Sequence, residues 1–190
     1  MPVPVPAFAS PLPPTPAETL LLEWEARTRP RAPAYARLRP ALLAHLNDFY
    51  SQLHPDNPIN LDPADVRYTL QAATGLGLAT AAASGPGRAG QVVQELLAAL
   101  AAQRSAWPAI DVAVRCLLSI LSNPADDLQM DELSEITETL RQHIGPEAEL
   151  IFGHCLHPAA DDTGLRIWLL VGYVAQAPAP CPYPPAPSQR

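Results

Sequence analysis

Between Gly75 and Val174 the spacing of apolar residues switches back and forth between two periods, and that succession restricts the fold more than any other feature of the chain. Leu76 and Leu78 alternate with Gly75, Gly77, Ala79 and Ala81, the period of two that belongs to a strand. Glycine weakens a strand unless another backbone or a helix comes close, so this strand is expected to have one nearly bare face. Val92, Val93, Leu96, Leu97 and Leu100 then make a helix stripe. Val112, Val114, Cys116, Leu118 and Ile120 form one face of a second strand, with Leu117 and Leu121 on the other. Asp131 to His143 reads as a helix with Leu133, Ile136 and Leu140 inward. Acids fill its first turns, Arg141 and His143 its last, and Gly145-Pro146 ends it. Two more strands follow, Glu149 to Leu156 and Leu165 to Val174, joined by the turn Asp161-Asp162-Thr163-Gly164. Strand, helix, strand, helix, strand, strand predicts an α+β two-layer sandwich.

Proline marks where this pattern stops. Seven of the 24 prolines lie in Met1 to Pro16 and six in Pro178 to Pro187. Neither end has a periodic apolar pattern, so residues 1–14 and 176–190 are expected to be disordered proline-rich tails. A helical segment is expected over 15–57. Thr15-Pro16-Ala17-Glu18 is a capping box with proline at the first helical position, and Leu20, Leu21 and Trp24 supply a short stripe. Pro30 and Pro33 are expected to end that helix. A second is expected over 40–54, with Leu42, Leu43, Leu46, Phe49, Tyr50 and Leu53 on one side and Asn47, Asp48, Ser51 and Gln52 on the other. The run His54-Pro55-Asp56-Asn57-Pro58 stops it.

The formal charge of −7 argues against a nucleic-acid partner. Five of the twelve arginines fall between Arg27 and Arg39, a basic stretch that reads as a solvated linker or as a contact for an acidic or phosphate-bearing partner. No run approaches the ~18 apolar residues of a membrane span. The first residues lack the basic start and apolar stretch of a signal peptide. Cys116, Cys155 and Cys181 are an odd set without metal-ligand spacing, which fits a reducing, cytoplasmic setting.

The stretch that carries candidate chemistry is Asn60-Leu61-Asp62-Pro63-Ala64-Asp65-Val66-Arg67. Asp62 before Pro63 opens a helix, and Asp65 falls in its first turn, where the dipole favours a carboxylate. Helix initiation alone accounts for two of the three polar residues at Asn60, Asp62 and Asp65. The same three match, position by position, an Asn-x-Asp-x-x-Asp pattern, and here the chain resembles the bacterial tubulin-like division protein FtsZ. In that family the loop follows a long central helix and reaches the GTP held by the next subunit, where its carboxylates orient the attacking water. Pro63 departs from the family, which places a bulky apolar residue there.

Further matches follow in order. Ala83-Ser84-Gly85-Pro86-Gly87-Arg88-Ala89 looks like the Ala-Ser-Gly-x-x-Arg-Ala turn after the first strand of the FtsZ carboxy-terminal domain, where it is structural. Gly145-Pro146-Glu147-Ala148 into Ile151-Phe152-Gly153 resembles the entry to its third strand, and Leu165-Arg166-Ile167 through Gly172-Tyr173 its last. The resemblance covers residues 58–175. It implies a four-stranded mixed sheet with helices on one face, preceded by the central helix. Nothing resembles the Gly-Gly-Gly-Thr-Gly-(Ser/Thr) turn that holds GTP, and only about forty residues precede the central helix, too few for a parallel nucleotide-binding sheet. The resemblance therefore implies the carboxy-terminal domain and loop without the GTP-binding domain: not an enzyme by itself, with no cofactor, and with FtsZ or another tubulin-like subunit as partner through Asn60, Asp62, Asp65 and Arg67. The other reading is a non-catalytic remnant or scaffold of the fold whose tails serve unrelated partners.

Other candidates are weaker. In His154-Cys155-Leu156-His157, alternation puts His154 on one face and Cys155 with His157 on the other, so no metal site is expected. The acidic run Asp126, Asp127, Asp131, Glu132 and Glu135 reads as a solvated helix start. Ser84 and Ser105 have no recognisable catalytic partners. The Gly85–Gly87 turn lacks the lysine and hydroxyl of a phosphate-binding loop.

Overall fold

The computed structural model describes residues 14–30, 33–52, 57–103, 110–156 and 164–174. The expected tails (apart from Pro14), Leu53, Ser105, His157, Cys181 and the turn at Asp161 to Thr163 lie outside them. Three helices come first: α1 (Pro16–Thr28), α2 (Pro33–Gln52) and α3 (Pro63–Ala72). They are followed by β1 (Gly75–Ser84), α4 (Arg88–Ala102), β2 (Ala113–Ser122), α5 (Met130–His143), β3 (Glu149–Leu156) and β4 (Gly164–Tyr173).

The strands form one mixed sheet in the order β1-β4-β2-β3. β4 runs antiparallel to both its neighbours, while β2 and β3 are parallel and joined through α5. The last strand is central because it is apolar on both sides. Leu165, Ile167, Leu169 and Val171 face one core, Trp168 and Leu170 the other. On the first side α4 and α5 bring Val92, Val93, Leu96, Ile136 and Leu140 onto Cys116, Leu118 and Ile120, all buried. This is the sandwich that the order of periods predicts. Ala79 and Ala83 are the bare face of β1 that α4 lies against, and a Cβ at Gly77 would stand 3.1 Å from the Tyr173 ring.

The second face of the sheet is closed by α1, α2 and α3. Leu42, Leu46 and Phe49 of α2 join Leu21, Trp24, Val66 and Leu70 over Leu76, Leu78, Leu117, Leu121 and Trp168. Phe49 meets Trp168 edge-on, with ring centroids 4.9 Å apart, an arrangement aromatic pairs favour. Asp48 and Ser51 lie on the exposed side of α2, as its spacing predicts. The carboxy-terminal carbonyls of α3 are satisfied from α1: Trp24 Nε1 donates to Ala73 O (3.0 Å) and Arg27 Nη2 to Leu70 O (2.7 Å).

Three expectations need correction. Helices cover both faces of the sheet, α1 to α3 opposite α4 and α5, where helices on one face were expected, because β2 and β4 are apolar on both sides. The second helix starts at Pro33 rather than Pro40, so Pro40 sits inside it and the basic stretch is largely helical instead of a linker. An interior proline costs about 3 kcal/mol, and the contacts of the first turns outweigh it. Tyr35 Oη and Arg39 Nε each donate to Glu25 Oε1 at 2.6 Å, and the Tyr35 and Trp24 rings are 5.3 Å apart. Ala36, whose carbonyl loses its partner at Pro40, is exposed to water. The start of β2 also differs. Val112 lies in a 3-10 turn and is exposed, and a register shift between Ala113 and Arg115 makes Ala113 the first core residue of the strand.

Candidate functional site

The Asn60–Arg67 loop is built from a helix start and a strand edge. Asp62 is the N-cap of α3, with extended backbone; its Oδ1 accepts from Ala64 N (2.5 Å) and Asp65 N (3.1 Å). Asp65 Oδ2 accepts in return from Asp62 N at 2.9 Å, a reciprocal capping box. Each carboxylate therefore spends one oxygen on the helix. The other oxygens, Asp62 Oδ2 and Asp65 Oδ1, have no partner among the described residues. Asp62 and Arg67 are exposed, Asp65 is half-buried and Asn60 is exposed. Arg67 borders a groove between α1 and α3 that Leu20, Glu23 and Leu70 also line.

The start of the loop is pinned to the outer edge of β3. Ile59 pairs with His154: His154 N donates to Ile59 O at 2.9 Å and Ile59 N to His154 O at 3.4 Å. Leu61, 5 % exposed, crosses directly over Gly153. A Cβ at 153 would collide with the Leu61 side chain and stand 2.9 Å from Ile59 O, so the glycine of Ile151-Phe152-Gly153 is the gap through which the loop passes. Sequence spacing identifies that glycine but not the segment that needs it.

Beneath this seat lies a polar cluster that the sequence did not reveal. Ser122 Oγ, at the end of β2, donates to Asp127 Oδ1 (2.9 Å) and lies 2.7 Å from His154 Nε2, which is itself 3.3 Å from Asp127 Oδ1. These are the residue types of a hydrolase triad in the wrong arrangement. Serine and aspartate meet the same imidazole nitrogen, so the histidine cannot relay a proton between them, and Ser122 is fully buried. Burial holds the His154 imidazole below its ordinary pKa range, and Asp127 offsets this only in part.

The turn at Gly85 to Arg88 is structural. Gly85 and Gly87 have φ of 80° and 75°, which glycine adopts without strain, and Gly87 caps α4. The Arg88 side chain, 4 % exposed, pairs with Asp126 (2.6 Å) and Glu132 (2.7 Å) and donates to the Asp126 and Asp127 carbonyls. The acidic run is thus not simply a solvated helix start: Asp126 and Glu132 neutralise Arg88, and Asp127 holds Ser122. Asp131 and Glu135 are exposed. Among the described residues no group of three His, Cys, Asp or Glu side chains could hold a metal ion. Nor is any of their helices long and apolar enough to cross a membrane.

The four-stranded mixed sheet with its helices is similar in fold to FtsZ and tubulin-like proteins. Solved structures with this likeness include an empty FtsZ dimer from M. jannaschii, with a TM-score of 0.57 at 21% identity over 79% of this chain and 43% of that one. CetZ from Methanosaeta thermophila gives 0.50 at 16% identity over 73% and 37%, and the GDP-form protofilaments of TubZ from Bacillus thuringiensis serovar israelensis 0.52 at 14% over 70% and 34%. The chain therefore spans less than half the length of each of these proteins, and at these identities the likeness is one of fold. No protein-family model matches the chain, and no curated protein does.

Proposed function

We propose that this polypeptide is an interaction module of the cytoplasmic division machinery that docks by its Asn60–Arg67 loop on the nucleotide-bearing face of an FtsZ-type subunit. The observation that carries the reading is the seating of the loop. Ile59 and Leu61 are fixed on β3, so the capping carboxylates stand at a defined place with one oxygen each available to a partner. Two of the similar structures are, by their descriptions, a dimer of FtsZ and protofilaments of TubZ, and self-assembly of that kind supports a tubulin-like subunit as the partner. Contacts between such subunits are heterologous, each unit offering one face and receiving on the other. On this reading a docked copy of these 190 residues, which contain no glycine-rich cradle for GTP, ends the filament. Alone, the polypeptide neither binds nor hydrolyses GTP; micromolar binding by calorimetry contradicts this.

The test separates loop charge from helix capping. Asparagine caps a helix as well as aspartate does, so the double variant Asp62→Asn/Asp65→Asn keeps the capping geometry and loses both charges. Mixed with FtsZ, the parent is expected to co-sediment and shorten filaments substoichiometrically, and the variant to do neither while melting normally. A folded variant that shortens filaments as well as the parent places docking on another surface.

A further inference from the structure

Three parts of the molecule meet at His154. Its main chain carries both hydrogen bonds that hold Ile59, at the start of the docking loop. Its side chain turns to the opposite face of β3 from the one Leu61 crosses, and there it meets Ser122 at the end of β2 and Asp127 at the entry to α5. Asp127 Oδ1 is also fixed by Leu128 N at 2.7 Å. Because Ser122 donates its hydroxyl hydrogen to Asp127, its oxygen is left to accept from the imidazole; this places a hydrogen on Nε2 and leaves Nδ1 as the atom that a further proton takes. One buried imidazole, 4 % exposed, thus joins the loop seat to the helix layer.

Burial disfavours the charged form of this ring, and the carboxylate beside it offsets that only in part. Of the charged groups nearby, Asp127 is 44 % exposed and 3.3 Å from Nε2, a solvent-screened counter-charge. Asp126 and Glu132 are committed to Arg88, itself a positive charge on the neighbouring turn. β2 contributes only the Ser122 hydroxyl, and on the loop side Asn57 donates to Cys155 Sγ on the other face of the strand. A proton added to the ring must be accommodated in this setting or be relieved by moving the ring towards water.

We propose that protonation of His154 gates the Asn60–Arg67 loop: the neutral imidazole keeps the β3 edge in register and the loop seated, and the imidazolium releases Ile59. The gate rests on the reading of this loop as the docking element, and it makes docking a property of neutral pH. The direction follows from burial. The folded state disfavours the charged ring, so the stability contributed by neutral His154 is present above the ordinary histidine range and is lost as pH falls through it towards the lower folded value.

The test uses the full 190-residue polypeptide without a partner. Amide exchange of Ile59, corrected for the intrinsic rate, is followed by NMR together with the His154 ring between about pH 7.5 and about pH 5. Protection of Ile59 is expected to fall roughly tenfold or more as His154 titrates, while Leu117 in the sheet interior stays protected. His154→Gln, which cannot charge, is expected to remove the pH dependence. Asp127→Asn, which removes the nearest counter-charge and leaves His154 in place, is expected to move the midpoint to lower pH. The proposal is overturned if Ile59 follows the same course in the parent and in His154→Gln, if His154 titrates while Ile59 stays protected, or if the Asp127→Asn midpoint does not move. Binding to FtsZ at the two pH values is a separate arm. Release of Ile59 with pH-independent binding leaves the gate standing and removes the docking reading.

Discussion

Gly153→Ala tests the loop seat directly, because the structure fixes what the added methyl meets. It would collide with Leu61 and stand 2.9 Å from Ile59 O, well inside ordinary contact. The backbone of β3 is held by its pairing with β2, so the loop has to move. Moving it loses the two Ile59–His154 hydrogen bonds, worth about 0.5–1.5 kcal/mol each. It also lifts part of the Leu61 side chain from its place, where full burial is worth about 1.5–3 kcal/mol. Replacing glycine in a strand returns roughly 0.5–1 kcal/mol. The net expectation is a destabilisation of about 1–3 kcal/mol. Urea unfolding followed by the fluorescence of Trp24 and Trp168, both buried under the amino-terminal helices, measures it. Leu61→Ala removes the larger part of the collision. The double variant is therefore expected to be more stable than the sum of the two single losses implies, by about 1 kcal/mol. Additive losses, or a Gly153→Ala protein as stable as the parent, would refute the crossing of Leu61 over this glycine.

Three further outcomes follow from the packing. Arg88→Met leaves Asp126 and Glu132 without their cation; both acids are partly open to solvent, so the expected loss is about 2 kcal/mol rather than the larger penalty of a sealed pair, read by denaturant unfolding. Arg88 holds the Glu132 carboxyl below its ordinary range, so that part of the stability is present above the unfolded carboxylate pKa and is lost as pH falls through the folded one; the Arg88→Met protein should lose less on acidification than the parent. Pro40→Ala restores a helical N–H at an exposed position inside α2 and is expected to stabilise by about 2 kcal/mol, after allowance for the stiffer unfolded chain of the parent. A fall in the unfolding midpoint would mean that the helix does not run through Pro40.

Much of this was legible in the sequence because it is periodic or local. The stripe Leu42–Leu46–Phe49 and the alternation along β1 follow from burying one side of a regular element, and Thr15 and Asp62 cap helices through neighbours three residues away. What was not legible depends on partners distant in the chain. The start of α2 at Pro33 is decided by Glu25 on another helix, and no propensity argument at Pro33 or Pro40 contains that residue. The acidic run looks solvated until Arg88, 38 residues from Asp126, reaches it. The cluster of Ser122, Asp127 and His154 has only the pair Ser122 and Asp127 close in sequence; the parallel pairing of β2 with β3 brings in the histidine. The loop divides in the same way, since its capping chemistry can be read from Asp62 and Asp65 while its seat on Gly153 and His154 cannot.

If the loop docks on one face of a tubulin-like subunit, as proposed, the filament ends there. Labelling the polypeptide at a surface cysteine introduced on α4, which lies over β1 at the sheet edge opposite the loop seat, and imaging it on FtsZ filaments checks this. A single label is expected at one end of each shortened filament, absent with Asp62→Asn/Asp65→Asn. Label distributed along the filament sides, or retained at the ends by that variant, would contradict it.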